Sequence, residues 1–530
     1  MATGRLALSW VGKDQNLLNT PEGGYEWVPS NDPRVTEVRL LHETGKAGEV
    51  TGTAADNLLI QGDSYAALHA LSQNPLYASE YRGKVKLAYI DPPFNTGQAF
   101  EHYDDALEHS VWLTMMRDRL VQIRDLLSAE GSIWVHLDDA EMPYCRALMD
   151  EVFGRSNFVG TIIWQKIHGR NNSAQYLSTV HDYLIIYARS KPTLQLNRID
   201  RTELSDQEFW NPDNDPRGPW RRSDLTASHS YEDGRYEVVG PHGEVFTPRG
   251  NRWWSCSKET FEALRRDDRI WWGKTGRTFP FRKRFQSELG GLVPNTFWTH
   301  DEVGDNRQAK REVTLLFGRS NIFSTPKPEA LLKRVVSIAS NPGDIVLDCF
   351  AGSGTTAAVA HKMERRWVTV ELSPETLSQF TAPRLTKVVA NEDAGGVTKL
   401  CGWSGGGGFR SLEVAASAWE LYNGRVFLSE WVTDSEFAAV VAAQLRFEFE
   451  GTADKPFCGR RGRVRLAVID GVVDDVIAQS VIARLGEAER VTLVGRGITP
   501  EAQALVAEQS PGSKVLKAPR DLVDRGKAIR

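Results

Sequence analysis

The sequence predicts an α/β protein with a mostly parallel sheet. Three observations predict it: short apolar runs that stop at an acid, a glycine-rich turn leading into a helical stretch, and intervening segments whose apolar residues recur every three or four positions. Residues 85–90 read as a buried strand that ends at Asp91, where Pro92 and Pro93 cannot continue a ladder. Residues 344–348 read as a second strand, followed by the turn Phe350-Ala351-Gly352-Ser353-Gly354 and a helix starting near Thr355. A third, 367–370, stops at Glu371. In open α/β sheets the carboxyl ends of the strands form the ligand edge, so Asp91 is expected to face a ligand there.

The remaining elements follow in order. Residues 1–50 are polar and read as an irregular arm with Trp10, Tyr25 and Trp27 as anchors. A strand at 58–60 ends at Gly62-Asp63 and a helix follows over 64–72. The polar stretch 98–109 is expected to be a loop that orders around substrate. Trp112, Met116, Leu120, Ile123 and Leu127 mark an amphipathic helix, 133–137 a strand, and 159–165 with 183–187 an antiparallel pair. His136 and His181 lack partners at metal-ligand spacing and read as ordinary hydrogen-bonded histidines. Between 195 and 310 the character changes: seven of the 16 tryptophans fall there, and few helical patterns do. Gly405 to Gly408, followed by Phe409, looks like a linker on composition alone. From 425 to 530 a separate small α/β unit is expected, with strands at 464–469 and 491–494 and a helix capped by Thr499 with Pro500 in its first turn. Its assigned role, assembly or partner docking, rests on fold-level analogy.

At 530 residues the chain is too long for one core and predicts about three domains. A net charge of −5 confines any nucleic-acid surface to a local patch. Five cysteines without CxxC spacing predict a reducing compartment and no metal site. No apolar run is long enough for a membrane span, and the first residues lack a signal peptide's apolar region, so a cytoplasmic protein is expected. Gly273-Lys274-Thr275 imitates a phosphate loop, but Asp268 stands where the leading glycine is required. No ATP hydrolysis is expected.

Two motifs carry chemistry. Asp91-Pro92-Pro93-Phe94 offers a carboxylate, main-chain carbonyls without N–H groups, and a ring face. That set suits a flat ring bearing an exocyclic amino group, as on a nucleobase. Gly352 and Gly354 let backbone approach a ligand, and Glu371, about twenty residues past the turn's start, is placed to grip ribose hydroxyls. The spacing Gly352-x-Gly354-x-x-Ala357 also fits a dinucleotide fingerprint, so this motif alone leaves NAD open. In the 195–310 segment, Arg265, Arg266, Arg269, Lys274, Arg277, Arg282, Lys283 and Arg284 face only Asp267 and Asp268. With the tryptophans they suit phosphates, guanine edges and stacked bases; the alternative is a solvated surface around a small aromatic core.

Asp91-Pro92-Pro93-Phe94-Asn95-Thr96-Gly97, followed much later by Phe350-Ala351-Gly352-Ser353-Gly354-Thr355-Thr356, resembles the permuted β-group of amino-directed DNA methyltransferases, and more narrowly the Mod (modification) subunits of type III restriction-modification systems. Residues 57–63, 131–139, 181–183, 211–220 and Thr325-Pro326-Lys327-Pro328-Glu329 extend the resemblance over about 50–415. It implies a Rossmann-like methyltransferase with a mixed, mostly parallel seven-stranded sheet, divided as arm 1–50, catalytic half 51–194, target-recognition insertion 195–310, cofactor half 311–424 and C-terminal domain 425–530. It implies S-adenosylmethionine over Gly352 and Gly354, with Glu371 on the ribose, Asp348, Phe350, Ala351 and Thr355 lining the pocket, and Asp63, Thr325 and Lys327 completing it. Asp91, Pro92, Pro93 and Phe94 become catalytic, acting on the N6 amino group of a flipped adenine in double-stranded DNA. A homodimer and a separate helicase or nuclease subunit are the implied partners. Asp91 leans toward adenine within the family; Phe94 departs from the tyrosine of many relatives and removes a phenolic hydrogen bond. The other readings are a DNA-binding specificity scaffold with little methylation, an N4-cytosine enzyme, and an RNA or protein-amide methyltransferase.

Overall fold

The computed structural model describes residues 7–20, 24–95, 108–170, 174–199, 209–230, 232–319, 323–451 and 456–523. The loop expected at 98–109 thus lies outside the described residues except for its last two positions. The chain divides into two compact units: Met1–Leu196 with Asn295–Arg530, and Asn197–Pro294.

The larger unit is built on one ten-stranded sheet. In chain order its strands are β1 Leu41–Gly48, β2 Asn57–Gln61, β3 Val85–Ile90, β4 Leu127–Leu137, β5 Phe158–Gln165, β6 His181–Ala188, β7 Phe297–Trp298, β8 Ile345–Asp348, β9 Arg366–Glu371 and β10 Gly408–Val414. Across the sheet they run β7-β5-β6-β4-β3-β8-β9-β2-β10-β1. The six from β4 to β10 are parallel to one another. Strand β6 is antiparallel to both its neighbours. The sheet is mixed and mostly parallel as expected, but has ten strands instead of seven.

The three additional strands are β1, β7 and β10. Strand β1 pairs on one side only, antiparallel to β10, and its sequence Leu-His-Glu-Thr-Gly-Lys-Ala-Gly is polar and largely exposed, as an edge strand's should be. That polarity hid it, so the described part of residues 1–50 is not an irregular arm. Gln15–Asn19 and Tyr25–Pro29 in that stretch also pair as a hairpin. Strand β7 is two residues long and draws 297–298 into this sheet, which shortens the 195–310 insertion to 197–294.

Helices cover the sheet where the apolar spacing places them. Helix α1, Ser64–Gln73, is capped by Asp63, which accepts from the Tyr65 N–H at 2.7 Å. Helix α2, His109–Leu126, buries Trp112, Met116, Leu120 and Ile123 against Leu58, Ala88, Ile133 and Leu347 in one core. Burial of each such side chain contributes about 1.5–3 kcal/mol.

Residues beyond 425 do not separate as a unit of their own. Their five-stranded sheet packs its helix Asp434–Leu445 on a core that includes Val38, Leu40 and Trp419. Buried Glu37 accepts from the Ala418 N–H at 2.6 Å and the Ser417 hydroxyl at 2.7 Å. Val38, whose N–H donates to Gln444 Oε1 at 3.0 Å, and Leu40 thus tie this region to the segment that leads into β1. Among the described residues no helix is long and apolar enough to cross a membrane.

A buried ion cluster braces the glycine-rich turn from below. Glu329, at the start of helix α3 (Glu329–Ala339), meets Lys362 from helix α4 (Thr355–Lys362) at 2.8 Å and Arg384 at 2.8 Å, and Lys362 also meets Asp393 at 2.5 Å. All four are 2% exposed or less. Arg384 also donates to the Thr355 hydroxyl at 2.7 Å, which couples the cluster to the turn. Glu329→Ala leaves two buried cations with one carboxylate, and should cost about 3–5 kcal/mol, read as a lowered urea midpoint with unchanged slope.

Candidate active site

The carboxyl ends of four adjacent parallel strands each deliver an acid. Asp91 follows β3, Asp138 follows β4, Asp348 ends β8 and Glu371 ends β9. Beside this edge lies a cavity of about 410 Å³ lined by Asp91, Pro92, Pro93 and Phe94 together with Thr325, Lys327, Asp348, Phe350, Ala351, Gly352 and Thr355. Two motifs separated by more than 250 residues in the chain thus share one cavity.

The turn from Asp91 to Asn95 is held on both sides. The Trp112 indole N–H donates to the Pro93 carbonyl at 2.7 Å, so one of the two proline acceptors is already used. Asn95, at φ +60°, donates through its amide to Glu141 Oε1 at 2.7 Å, and His109 Nδ1 lies 2.9 Å from the same oxygen. Asp91 itself splits its two oxygens. Oδ2 meets Lys327 Nζ at 2.5 Å, whereas Oδ1 is buried and has no hydrogen-bond partner among the described residues.

The glycine turn uses φ values that side chains resist. Gly352 sits at φ +50° and Gly354 at φ +75°. A Cβ on Gly352 would meet the Phe323 ring at 3.2 Å, on the cavity side. Gly354 is the N-cap of α4 and does not line the cavity.

Asp63 and Glu371 also lie outside the lining. Asp63 caps α1 and pairs with Arg119 at 2.7 Å. Glu371 is 1% exposed and accepts from the Gly352 N–H at 2.8 Å and the Ser373 N–H at 3.0 Å. Its carboxylate braces the turn through these two backbone donors. The reason is geometric: the residue lies on a strand neighbouring the turn, within reach of its backbone donors.

Four acids, Asp91, Asp138, Asp182 and Asp348, and three lysines, Lys166, Lys310 and Lys327, line the cavity. Burial, with Asp91 and Glu371 nearby, pushes the Asp348 carboxyl up to about 7, against hydrogen bonds from Thr356 and the Phe350 N–H. Behind Phe94 runs a chain that the sequence did not single out. Tyr89 Oη lies 2.8 Å from His136 Nδ1, His136 Nε2 lies 3.3 Å from Asp182 Oδ2, and Asp182 Oδ1 meets Lys166 Nζ at 2.6 Å. Burial, aided by Lys327, lowers the His136 pKa and keeps the ring neutral. A neutral ring bonded at both nitrogens has one consistent arrangement: Tyr89 donates to Nδ1, and Nε2–H donates to Asp182. Burial raises the Asp182 pKa, but His136 and Lys166 hold it below the ordinary carboxylate value. The His136 ring centroid is 5.7 Å from that of Phe94 and 5.3 Å from that of Trp164. Lys166 and Asp182 line the cavity too. The one available signal was an acid on β6 in register with the end of β5, which only strand pairing reveals.

The smaller unit separates the eight basic residues. Its core holds Leu225, Trp254, Phe261, Ile270 and Trp272, and Trp220 is fully buried, so these tryptophans are structural. Phe281–Phe285 pairs with Ile270–Trp271 on one side and Trp220–Asp224 on the other. Alternation puts Lys283 on the face of Phe281 and Phe285, and it is 2% exposed, ion-paired to Asp213 at 2.6 Å, Asp215 at 3.0 Å and Asp268 at 3.2 Å. Lys283 is therefore a buried counter-ion, contrary to the expectation that it contacts DNA. Arg269 is likewise committed, to Glu288 at 2.7 Å and to Asp267. Arg265 lies over the Trp272 ring and 3.9 Å from Glu262. Arg277 is exposed and 3.6 Å from Glu244, and Arg266 and Lys274 are exposed. Arg282 and Arg284 point from the opposite sheet face to Lys283, and Arg221, which sequence reasoning passed over, stands across from Arg284 on that face.

Comparison with known proteins gives consistent findings. The family described as DNA methylase matches residues 85–382. The StyLTI Mod subunit of a type III restriction-modification enzyme from Salmonella typhimurium is 31% identical over 57% of this chain and 49% of its own length. The HindVI Mod subunit of Haemophilus influenzae is 30% identical over 69% of this chain and 54% of its own. The chain spans about half the length of these relatives. A solved structure, the PvuII cytosine-N4-specific DNA methyltransferase, aligns with 15% identity and a TM-score of 0.35 over 68% of this chain and 98% of its own.

Proposed function

This chain belongs to the DNA methylase family, and from that premise we propose that it transfers a methyl group from S-adenosylmethionine to the N6 amino group of adenine in double-stranded DNA, as the modification subunit of a restriction-modification system. The observation that carries the reading is the shared cavity: an aromatic ring and a carboxylate on one wall, and a glycine turn on the other. The residues fit the cofactor. Gly352 leaves space that a Cβ would fill, and the carboxyls of Asp91 and Asp348 favour a cationic ligand. Asp348, Phe350, Ala351, Thr355 and Thr325 would hold it, and when bound it supplies an electrophilic methyl group on a sulfonium.

The chain's own residues do the rest. The target base must leave the duplex, at a cost of a few kcal/mol. Phe94 stacks on the extruded ring. The Asp91 carboxylate accepts one amino hydrogen and the Pro92 carbonyl the other, which turns the nitrogen lone pair toward the cofactor pocket. A carboxylate cannot deprotonate a neutral aromatic amine, but it stabilises the positive charge that develops on nitrogen. Positioning supplies most of the acceleration. The Tyr89-His136-Asp182 chain, with its neutral imidazole, stiffens the wall behind Phe94.

DNA recognition is proposed for the 197–294 unit through the face carrying Arg221, Arg282 and Arg284. Arg284→Ala should weaken binding evenly across sequences and reduce the slope of log affinity against log salt by about 1. Lys283→Ala should instead lower this unit's thermal stability. A homodimer and a separate motor or nuclease subunit complete the proposed assembly, in keeping with relatives named as subunits.

The decisive assay offers labelled S-adenosylmethionine with DNA from a strain lacking this chain, and in parallel RNA and protein. Label recovered as N6-methyladenine supports the reading. Recovery as N4-methylcytosine moves the base assignment, and no transfer by folded protein to any polymer removes the enzymatic reading.

A further inference from the structure

Lys327 stands between Pro326 and Pro328, and the next residue, Glu329, is fixed in the buried ion cluster. The two prolines restrict the backbone on either side, so what can move here is the lysine's four-carbon side chain. Its Nζ is 2.5 Å from Asp91 Oδ2 and 5.0 Å from the centroid of the Phe94 ring. An exocyclic amino group held for methylation needs the same two neighbours, a carboxylate to accept N–H and an aromatic face beside it. The ammonium satisfies both, and it is 11% exposed in doing so.

We propose that Lys327 is a displaceable stand-in for the substrate's amino group. In the free protein its ammonium occupies the acceptor corner of the cavity, and the target base takes that corner by exchanging with it on Asp91. The inference rests on the methyl-transfer reading and deepens it, because it assigns Lys327 to control of base entry in addition to the cofactor pocket. The physical reason is an asymmetry in hydrogen-bond energetics. A buried acceptor that loses its donor gains much more from a new one than an acceptor already paired. While Lys327 holds Asp91, the entering base gains only the difference between two donors; without the lysine it gains the whole bond.

Direct binding separates this from the ordinary role of a lysine near DNA. A phosphate-contacting lysine strengthens binding, so removing its charge weakens it. For Lys327 the sign is reversed. Fragments of unmodified genomic DNA are titrated against wild type, Lys327→Met and Lys327→Arg, all saturated with S-adenosylhomocysteine and with excess poly(dI-dC) as competitor. Lys327→Met, linear and uncharged, should bind roughly tenfold tighter, the equivalent of one charge-assisted hydrogen bond. Lys327→Arg, whose planar fork takes a carboxylate with two bonds, should bind more weakly than wild type. Weaker or equal binding by Lys327→Met, or a shift of both variants in the same direction, overturns the proposal. If Lys327→Met does not fold, Lys327→Arg decides alone, with equal or tighter binding counting against. The transfer assay reports separately on the functional reading: a wild type that methylates while the variants break this pattern loses the exchange and nothing else.

Discussion

Asp91→Ala abolishes methyl transfer, lowering kcat at least 10²- to 10³-fold, about the effect of deleting one preorganised polar group that stabilises developing charge. Asp91→Asn falls nearly as far. The amide keeps the shape, but it presents a neutral oxygen where positive charge develops on the substrate nitrogen. Binding of S-adenosylhomocysteine, followed by calorimetry, stays within a few-fold of wild type for both variants, because Asp348, Phe350, Ala351 and the glycine turn are untouched. Transfer at near-wild-type rate by either variant would remove Asp91 from the chemistry.

The second large effect belongs to Asp348. Its folded-state pKa, about 7, lies above its ordinary value of 3.8. The folded protein therefore binds this proton more tightly than the unfolded chain, and stability falls as pH rises from about 4 to about 7, then levels off. Above pH 7 the ionised carboxylate costs the ligand-free fold roughly 4 kcal/mol. Asp348→Asn removes that cost. Its urea midpoint should exceed the wild-type value at pH 8 and converge with it toward pH 4. A cationic ligand in the cavity favours the ionised form, so cofactor binding should release a proton and tighten as pH rises toward 7. Titration calorimetry in two buffers of different ionisation enthalpy counts that proton. A midpoint difference that grows toward acid pH instead would contradict the assignment.

The parts of the site legible in sequence were those written along a single strand. An apolar run stopped by Asp91 and two prolines fixes where a carboxylate sits, and Gly352 with Gly354 marks a backbone that must approach something. Relations across strands were not legible. His136, Asp182 and Lys166 come from β4, β6 and the end of β5, and only the antiparallel pairing brings them into one chain. Edge strand β1 was invisible because it has a partner on one side and carries few apolar residues. Lys283 is a different lesson. In Phe281-Arg282-Lys283-Arg284-Phe285 the alternation alone puts the lysine on the aromatic, inward face, and a count of charges across the segment concealed it. Asp63 and Glu371 were legible as acids at strand ends, but not as a helix cap and a turn brace, since those roles depend on which backbone N–H groups lie within reach.

One detail of the 197–294 unit bears on how such a protein acquires new behaviour. Where the chain enters and leaves it, Ile199 and Leu292 exchange both backbone hydrogen bonds, at 2.9 and 2.8 Å. The two ends are zipped together, so the segment begins and finishes at one point, like an insert with matched ends. A lineage can lengthen, shorten or replace everything between those residues while the strands that carry Asp91 and Asp348 keep their register. On the proposed reading, the address is an exchangeable cassette and the chemistry a fixed chassis, so new targets can arise by recombination without a catalytically dead intermediate.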